Sequence, residues 1–235
     1  MHWLKKTIIF NPIWLAEHGL NREIKSAIAG LRFGEADKWL DVGCGLRPYE
    51  SCFPSGTYIG LDVEVSGRNA SLKVADHYYD GRILPFPNDS LEGVICTQVL
   101  EHVPDPLFLL GEMYRVIKPG GRLLVSLPFV WQEHEEPYDF FRYTRFGISE
   151  LLVQNGFKVD SIVKDTGSIE TLASGLNAYI SNNLVPPIRG VWVAFALGIC
   201  FPIQIIALAL QRVLPDKRKL YLNMIVQATK GNDIL

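Results

Sequence analysis

The sequence is poor in cysteine, and its cysteines do not lie at spacings that bind metals or build disulfide frameworks. The four thiols are Cys44, Cys52, Cys96 and Cys200, and no two of them form a C-x-x-C pair. Isolated cysteines of this kind are usually buried and unreactive. We therefore expect free thiols in a reducing compartment and no metal site built from cysteine.

An excess of basic residues is missing as well. Lysine and arginine number 23 against 25 aspartates and glutamates, which gives a formal charge of −2. Proteins that bind nucleic acids normally present a basic face, so we expect no nucleic-acid partner. We expect no secretory signal, because Pro12 interrupts the short apolar run near the N-terminus and no small-residue cleavage site follows. The predicted location is the cytoplasm.

Apolar segments of strand length alternate with helical patterns over most of the chain. We predict helices at 22–33, capped by Asn21, at 107–117 and at 148–154. The predicted strands are at 38–42, 57–63, 72–76, 93–97, 122–128, 157–163 and 220–229. This alternation predicts an α/β fold with a doubly wound, mostly parallel, seven-stranded Rossmann-like sheet.

One segment does not fit a plain α/β domain. From Val191 to Leu210 the chain carries no charge, and Gln204 is its only clearly polar side chain. About 20 apolar residues can span a bilayer, yet a complete crossing would leave the last strand on the wrong side of the membrane. Pro186, Pro187 and Pro202 predict shorter helical pieces. We therefore expect a helical hairpin that dips into one leaflet; the alternative is an apolar lid or a dimer interface.

These features divide the chain into three predicted parts. Residues 1–36 form an N-terminal helical segment, and residues 37–167 plus 218–230 form a cofactor-binding domain. Residues 168–217 form an apolar helical insertion before the last strand, either a membrane-contacting hairpin or a lid. A hairpin of this kind would make the protein peripheral or monotopic at the cytoplasmic face of the membrane.

A glycine turn follows the first predicted strand, at Asp41-Val42-Gly43-Cys44-Gly45. Ligands of open α/β sheets bind at the carboxyl ends of the strands, and glycine lets a backbone approach them closely. Asp62 ends the second strand, where a carboxylate can bind ribose hydroxyls. Pro48 stands where a dinucleotide site needs its third glycine, and the chain has no phosphate loop with a lysine. The pattern therefore favours a nucleoside without pyrophosphate, such as S-adenosylmethionine.

Four motifs carry a family resemblance: "LDVGCG", "YIGLDV", "LPFPNDSLEGVICTQVLEHVPDP" and "EMYRVIKPGGRLLVSLP". Together they resemble the class I S-adenosylmethionine-dependent methyltransferases over roughly residues 37–165. The later segment "PYDFFRYTRFGISELLVQNGF" is similar to a subgroup associated with the modification of cell-surface polysaccharides and lipid-linked sugars. The resemblance implies a methyltransferase with S-adenosylmethionine as its cofactor.

The resemblance also implies roles for individual residues at the cofactor. Asp41, Gly43 and Gly45 would hold the methionine part, and Asp62 would bind the ribose with Val63 against the adenine. The acid for the adenine amino group is either Asp76, by its place at a strand end, or Asp80 with Gly81, by the distance to "LPF"; we favour Asp80. Thr97 and Gln98 would line the sulfonium.

The acceptor side is predicted in the loop after the fifth strand. His134 is the candidate general base, and Tyr138, Arg142 and Tyr143 are candidate acceptor contacts. No metal site is expected, because "HEEPY" lacks the second histidine of H-E-x-x-H and Pro137 would break the helix. The predicted partner is a small-molecule or lipid-linked acceptor at a membrane surface.

We therefore expect methyl transfer to a hydroxylated acceptor, a lipid-linked or cell-surface saccharide. One alternative is carbon methylation of a quinone-like or other lipid acceptor. Another alternative is a non-catalytic, cofactor-binding protein that docks on membranes. The four residues Asp41, Gly43, Gly45 and Asp62 support cofactor binding in all three readings, so they do not discriminate among them.

Overall fold

A seven-stranded sheet organises the chain in a computed structural model that describes residues 9–67, 69, 73–186 and 188–231. The strands lie in the order β3-β2-β1-β4-β5-β7-β6. Their bounds are β1 Trp39–Val42, β2 Tyr58–Val63, β3 His77–Tyr79, β4 Leu91–Thr97, β5 Ile117–Pro128, β6 Phe157–Lys164 and β7 Asn223–Lys230. The helices are α1 Trp14–Ala29, α2 Pro106–Val116, α3 Arg145–Gln154, α4 Ser168–Tyr179, α5 Arg189–Phe195 and α6 Phe201–Val213.

The central strands run parallel, as the alternation of strands and helices predicts. β1 pairs with β2 and β4 in parallel, and so do β2 with β3 and β4 with β5. The strand order reverses between β1 and β4, so the loops after these two strands diverge and leave a cleft. The predicted doubly wound, mostly parallel sheet with a helical insertion before its last strand is confirmed.

Three elements differ by more than three residues from their predicted bounds: α1, β3 and β5, which begins at Ile117 rather than at residue 122. α1 begins at Trp14, so Asn21 lies inside the helix and donates its side-chain N–H to the Glu17 carbonyl. Burial of Leu15 extends this helix further than the capping signal indicated. The third strand lies at His77–Tyr79 rather than at 72–76, because β2 pairs with that segment; Leu72 of the predicted strand is outside the described residues.

The described residues form two compact units. One comprises residues 24–163 and 224–231 and contains most of the sheet; we call it the sheet unit. The other comprises residues 9–23 and 164–223 and is mainly helical; we call it the helical unit. Helix α4 belongs to the helical unit and continues through a π-helical turn at Ile180–Leu184.

The apolar segment forms one continuous helix, Arg189–Val213, made of α5, a π-helical turn at Ala196–Cys200, and α6. The prediction that Pro202 breaks this segment is wrong. Pro202 lies in the first turn of α6, directly after the π turn, which changes the hydrogen-bond register where the proline lacks an N–H. Pro187 lies outside the described residues.

The continuous helix buries Gln204, the one clearly polar side chain between Val191 and Leu210. Gln204 is fully buried, donates its amide N–H to the carbonyls of Ile9 and Asn11, and accepts the N–H of Leu15. The other buried residues between Ala196 and Ala207 are small. The inner face from Ala196 to Ala207 is therefore small and polar, whereas α5 buries one large side chain, Trp192. Several large aliphatic side chains of the helix point outward.

A carboxyl group is buried at the end of β1. Asp41 is 1% exposed and accepts a hydrogen bond of 2.5 Å from the Tyr58 hydroxyl. Burial raises the pKa of Asp41 to about 7, although the hydrogen bond from Tyr58 favours the charged form. The folded protein therefore holds a proton on Asp41 that the unfolded chain releases at a much lower pH.

The raised pKa of Asp41 predicts a stability that declines as the pH rises. The stabilisation is complete below the ordinary pKa of an aspartate, near 4, and is lost as the pH approaches 7. Asp41→Asn keeps an acceptor for Tyr58 but does not titrate. Between pH 5 and 8, the free energy of unfolding, measured with urea, should fall by up to about 3 kcal/mol more in the unmodified protein than in this variant. Equal losses in the two proteins would contradict the assignment.

Candidate active site

A cavity of about 480 Å³ opens in the sheet unit at the carboxyl ends of β1, β2 and β4. It lies where the strand order reverses, the usual ligand position in such sheets. Six of the predicted cofactor residues line it: Gly43, Asp62, Val63, Asp80, Gly81 and Gln98. The fold thus brings together residues from four separate segments at one concave surface.

The turn after β1 requires glycine at its first position. Gly43 has a φ of 73°, and a Cβ there would lie 2.4 Å from Cγ2 of Val99. Its N–H donates to the Leu61 carbonyl at 2.8 Å, which holds the turn against β2. Gly43 lines the cavity with backbone atoms only, and this leaves room for a ligand beside the chain.

Asp62 is held in a single orientation by backbone groups. One carboxylate oxygen accepts a hydrogen bond from the N–H of Gly45 at 2.9 Å, and the other accepts one from the N–H of Val63 at 2.8 Å. Lys73 Nζ lies 3.8 Å from the second oxygen. Each oxygen keeps a further lone pair, so the carboxylate can still accept hydrogen bonds from vicinal hydroxyls. Gly45 therefore serves the site by orienting Asp62.

The two candidate adenine acids differ in their surroundings. Asp76 accepts the N–H of Gly60 at 2.8 Å and an N–H of Arg47 at 2.7 Å, so both of its oxygens bind neighbouring protein groups. Asp80 lines the cavity beside Gly81 and accepts only the N–H of Arg82 among the hydrogen bonds of the described residues. This geometry favours Asp80 for the ligand and Asp76 for support of the strand.

The end of β4 presents an unusual backbone to the cavity. Gln98 has a φ of 55°, its N–H donates to the Ser126 carbonyl, and its amide donates to the Ser126 hydroxyl. Gln98 lines the cavity, whereas its neighbour Thr97 lies outside the lining of the described structure. A non-glycine residue in the left-handed region is costly, so the pair of bonds to Ser126 stabilises this turn.

The predicted acceptor residues separate into two groups. Tyr138 lines the cavity, together with His102 and Glu135. Arg142 instead donates two hydrogen bonds to Asp139, and the buried Tyr143 donates its hydroxyl to the Leu100 carbonyl at 3.2 Å. In the described structure these last two side chains hold the loop together, and their predicted contact with an acceptor stays a prediction.

His134 lies beside the carboxylate of Asp139, which is held by two hydrogen bonds from Arg142. Its Nδ1 is 3.3 Å from an Asp139 oxygen, and its ring packs edge-on against His102 with centroids 4.8 Å apart. Burial lowers the pKa of His134, and the hydrogen bonds from Arg142 hold the pKa of Asp139 at about 2. A neutral imidazole oriented by a charged carboxylate is the arrangement that a general base needs.

The structure adds three residues that the sequence analysis did not select. Lys73 is buried in the cavity wall and donates to the Val63 carbonyl at 2.6 Å. Glu101 is fully buried, and burial raises the pKa of its carboxyl to about 8. His102 donates its Nδ1–H to the Tyr138 carbonyl at 2.8 Å. The "LEHV" motif signalled the last two, but only the fold shows where their side chains lie.

Several curated relatives resemble part of this chain. A demethylmenaquinone methyltransferase of Anoxybacillus flavithermus is 30% identical over 136 residues, 51% of this chain and 57% of that protein. A ubiquinone/menaquinone biosynthesis C-methyltransferase of Pseudoalteromonas translucida is 41% identical over 75 residues, 31% of this chain and 30% of that protein. The chain thus spans about half or less of the length of these relatives.

Solved structures with low sequence identity share the fold. An S-adenosylmethionine-dependent methyltransferase from Mesorhizobium loti is 15% identical with a TM-score of 0.52, over 92% of this chain and 100% of that one. A Haemonchus contortus phosphoethanolamine N-methyltransferase bound to S-adenosylmethionine is 15% identical with a TM-score of 0.53, over 93% and 56%. These likenesses show a common Rossmann-like architecture.

A family model extends the sequence match to more than half of the chain. The model, described as a methyltransferase domain, matches residues 16–162 and includes the cavity, the Gly43 turn and Asp62. The cavity volume and the oriented carboxylate fit a nucleoside ligand, as the glycine turn predicts. The chain therefore belongs to the methyltransferase domain family, with S-adenosylmethionine as its cofactor.

Proposed function

We propose that this protein transfers a methyl group from S-adenosylmethionine to a lipid-linked acceptor at a membrane surface. The proposal that the acceptor is carried on a lipid rests on the reversed polarity of the helix Arg189–Val213, by which we mean that apolar side chains face outward and the polar Gln204 faces inward. Among the described residues it is the one helix that is long and apolar enough to cross a bilayer, and only 22% of its most apolar window is buried. Such a large exposed apolar face marks an interaction surface.

The reversed polarity extends over both long helices of the helical unit. The helix Arg189–Val213 buries Gln204, three small residues and Trp192, whereas Val213 is 74% exposed and Ile206 57% exposed. Helix α4 exposes Leu172, Leu176 and Tyr179. A helix at a water-exposed surface shows the opposite arrangement, with its polar face outward. Lipid chains are the environment that favours outward-facing aliphatic side chains.

The sheet topology restricts the proposed membrane contact to one leaflet. β6 precedes the helical insertion and β7 follows it, and both strands belong to the same sheet. A single crossing would separate them, so the helix lies in or on one leaflet. Basic residues at its ends, Arg189, Arg212 and the run 217–219, suit the anionic headgroups of a cytoplasmic membrane face.

The cofactor roles of the cavity residues form part of the proposal. Asp62 would accept the ribose hydroxyls, Val63 and Gly81 would flank the adenine, and Asp80 would accept its amino group. Gln98 would face the sulfonium, and the Gly43 turn would approach the methionine part. Asp41 lies outside the cavity lining in the described structure, so it would act through the strand that carries the turn.

Methyl transfer from a sulfonium needs no covalent intermediate with the protein. A sulfonium is an activated methyl donor, so alignment of donor and acceptor in a water-poor cavity supplies most of the acceleration. A hydroxyl acceptor must also lose its proton. His134, neutral and oriented by Asp139, is the proposed base, and Tyr138 is the proposed acceptor contact on the cavity wall.

A hydroxylated headgroup, such as a lipid-linked saccharide, is the first candidate acceptor. The loop around His134 is polar and aromatic, and its carboxylate and histidine groups suit hydroxyl groups better than an apolar ring. A quinone-like ring is the second candidate, because the relatives named above are demethylmenaquinone and ubiquinone/menaquinone methyltransferases. Both acceptors are carried on lipids, so both require the membrane contact.

Cofactor binding can be tested by neutralising each candidate acid. Asp62→Asn and Asp80→Asn should each weaken S-adenosylmethionine binding by about tenfold or more, since each removes a charge-assisted acceptor. Isothermal titration calorimetry measures the affinity directly. Asp76→Asn is the matched control, because its carboxylate binds Arg47 and Gly60 instead of facing the cavity.

The Asp76 variant should bind the cofactor within about twofold of the unmodified protein and unfold at a lower urea concentration. Unchanged affinity in Asp62→Asn would overturn the binding assignment. A loss confined to Asp76→Asn would reverse the choice between Asp76 and Asp80.

Membrane contact can be tested by placing charge on the outward face of the helix. The double variant Ile206→Glu and Val213→Glu should lose at least about tenfold in binding to vesicles of phosphatidylcholine and phosphatidylglycerol, measured by flotation. The double variant Phe146→Glu and Val153→Glu is the control, because both residues are equally exposed but lie on α3 of the sheet unit.

The control should float with the vesicles like the unmodified protein. If the unmodified protein does not float, or if both double variants lose binding equally, the membrane proposal is wrong.

A further inference from the structure

Three potential metal ligands meet beside the cavity of the sheet unit. Glu101, His102 and His134 each offer one donor atom, and these atoms all lie within 4.8 Å of one another. His102 also lines the cavity. The sequence analysis expected no metal because the segment around His134 holds a single histidine, but the fold supplies a second histidine from the turn after β4.

Glu101 is the strongest sign that this cluster has a ligand. Its side chain is fully buried, and neither carboxylate oxygen has a hydrogen-bond partner among the described residues. Nε2 of His102 lies 3.9 Å from one of these oxygens, beyond hydrogen-bond distance. A buried carboxyl group whose oxygens lack hydrogen-bond partners is unfavourable, so a group that coordinates it would offset the cost of its burial.

Both histidines are oriented as metal ligands usually are. His102 donates Nδ1–H to the Tyr138 carbonyl at 2.8 Å, which leaves Nε2 with a lone pair, and that atom is buried without a partner in the described structure. His134 Nδ1 faces an oxygen of Asp139 at 3.3 Å, which leaves the lone pair of its Nε2 to bind a metal ion. A carbonyl or carboxylate behind the far ring nitrogen is the usual outer-shell arrangement of metal-bound histidine.

We propose that Glu101, His102 and His134 bind a divalent transition-metal ion of the Zn²⁺ class. Two imidazoles and one carboxylate suit Zn²⁺ and its neighbours, whereas Mg²⁺ and Ca²⁺ prefer oxygen ligands throughout. The donor atoms must approach one another by side-chain rotation when the ion binds, since ligands of one ion lie closer together than 4.8 Å.

Three protein ligands leave a coordination position for a further molecule. His102 lines the cavity next to Tyr138, so this position is accessible from the proposed acceptor side. Resting on the proposed function, we assign the ion to the acceptor oxygen: the metal lowers the pKa of the bound hydroxyl, and the proton leaves to water. The oxygen then attacks the methyl carbon, the carbon–sulfur bond breaks, and its electron pair stays on the sulfur.

This assignment changes the role of His134 from base to ligand. The sum of the reaction is unchanged: an alcohol and the sulfonium give a methyl ether, the thioether and one proton. A metal-bound oxygen needs no histidine to remove its proton at neutral pH, so the two roles of His134 are distinguished by metal dependence.

The test is a Co²⁺ titration of the full-length, tag-free chain, followed by its visible d–d absorption, with Zn²⁺ affinity then measured by competition. We expect one ion per chain and at least about tenfold weaker binding in Glu101→Gln and in His134→Ala. His134→Gln keeps the size and polarity of the site and should weaken binding as well. His77→Ala is the control, because His77 lies on β3 outside the cluster.

Circular dichroism of each metal-free variant checks that it is folded. A saturable spectrum that is weakened in the cluster variants and retained in His77→Ala supports the site. No saturable spectrum, equal binding in all variants, or equal loss in the control overturns it. Cofactor affinity, measured separately without metal, tests the proposed function independently, so failure of the metal site leaves the methyltransferase proposal to its own experiment.

Discussion

The site depends on the hydrogen bonds that hold the Asp62 carboxylate. The N–H of Gly45 comes from the turn after β1, and the N–H of Val63 comes from the end of β2, so one carboxylate joins two strands at their ligand-binding ends. The turn can approach because Gly43 adopts a left-handed backbone against Val99. The carboxylate that is proposed to bind the cofactor ribose thus also holds the turn after β1 against β2.

A second constraint shapes the helical unit. Gln204 satisfies two carbonyls and one N–H of the segment at residues 9–15, so the one clearly polar side chain between Val191 and Leu210 turns inward. Large aliphatic side chains then remain outside. The same sequence feature therefore orders the N-terminal segment and creates the apolar surface on which the lipid-linked acceptor is proposed to arrive.

Local sequence patterns were sufficient to predict the parallel sheet and six of the residues that line the cavity. Strand periodicity and the spacing from the glycine turn to Asp62 placed the parallel sheet, and six predicted cofactor residues line one cavity. The start of α1 and the position of β3 were missed because burial of Leu15 and pairing with β2 outweigh local signals. The continuous helix through Pro202 likewise depends on a π turn that no simple pattern indicates.

The cluster of Glu101, His102 and His134 could not be predicted from spacing. Its members come from the turn after β4 and the loop after β5, which meet only because those strands are neighbours in the sheet. Neither segment resembles a metal motif by itself. Reading "HEEPY" alone led to the expectation of no metal, whereas the buried and unpartnered Glu101 points the other way.

The central claim is methyl transfer to a lipid-linked acceptor, and one labelling experiment tests it directly. Methyl-labelled S-adenosylmethionine is incubated with the protein and a total extract of the source cells, and label is counted in the organic and aqueous phases. Asp62→Ala serves as the blank. Our account predicts label above the blank in the organic phase. Label only in the aqueous phase, or none above the blank with cofactor binding intact, would contradict it.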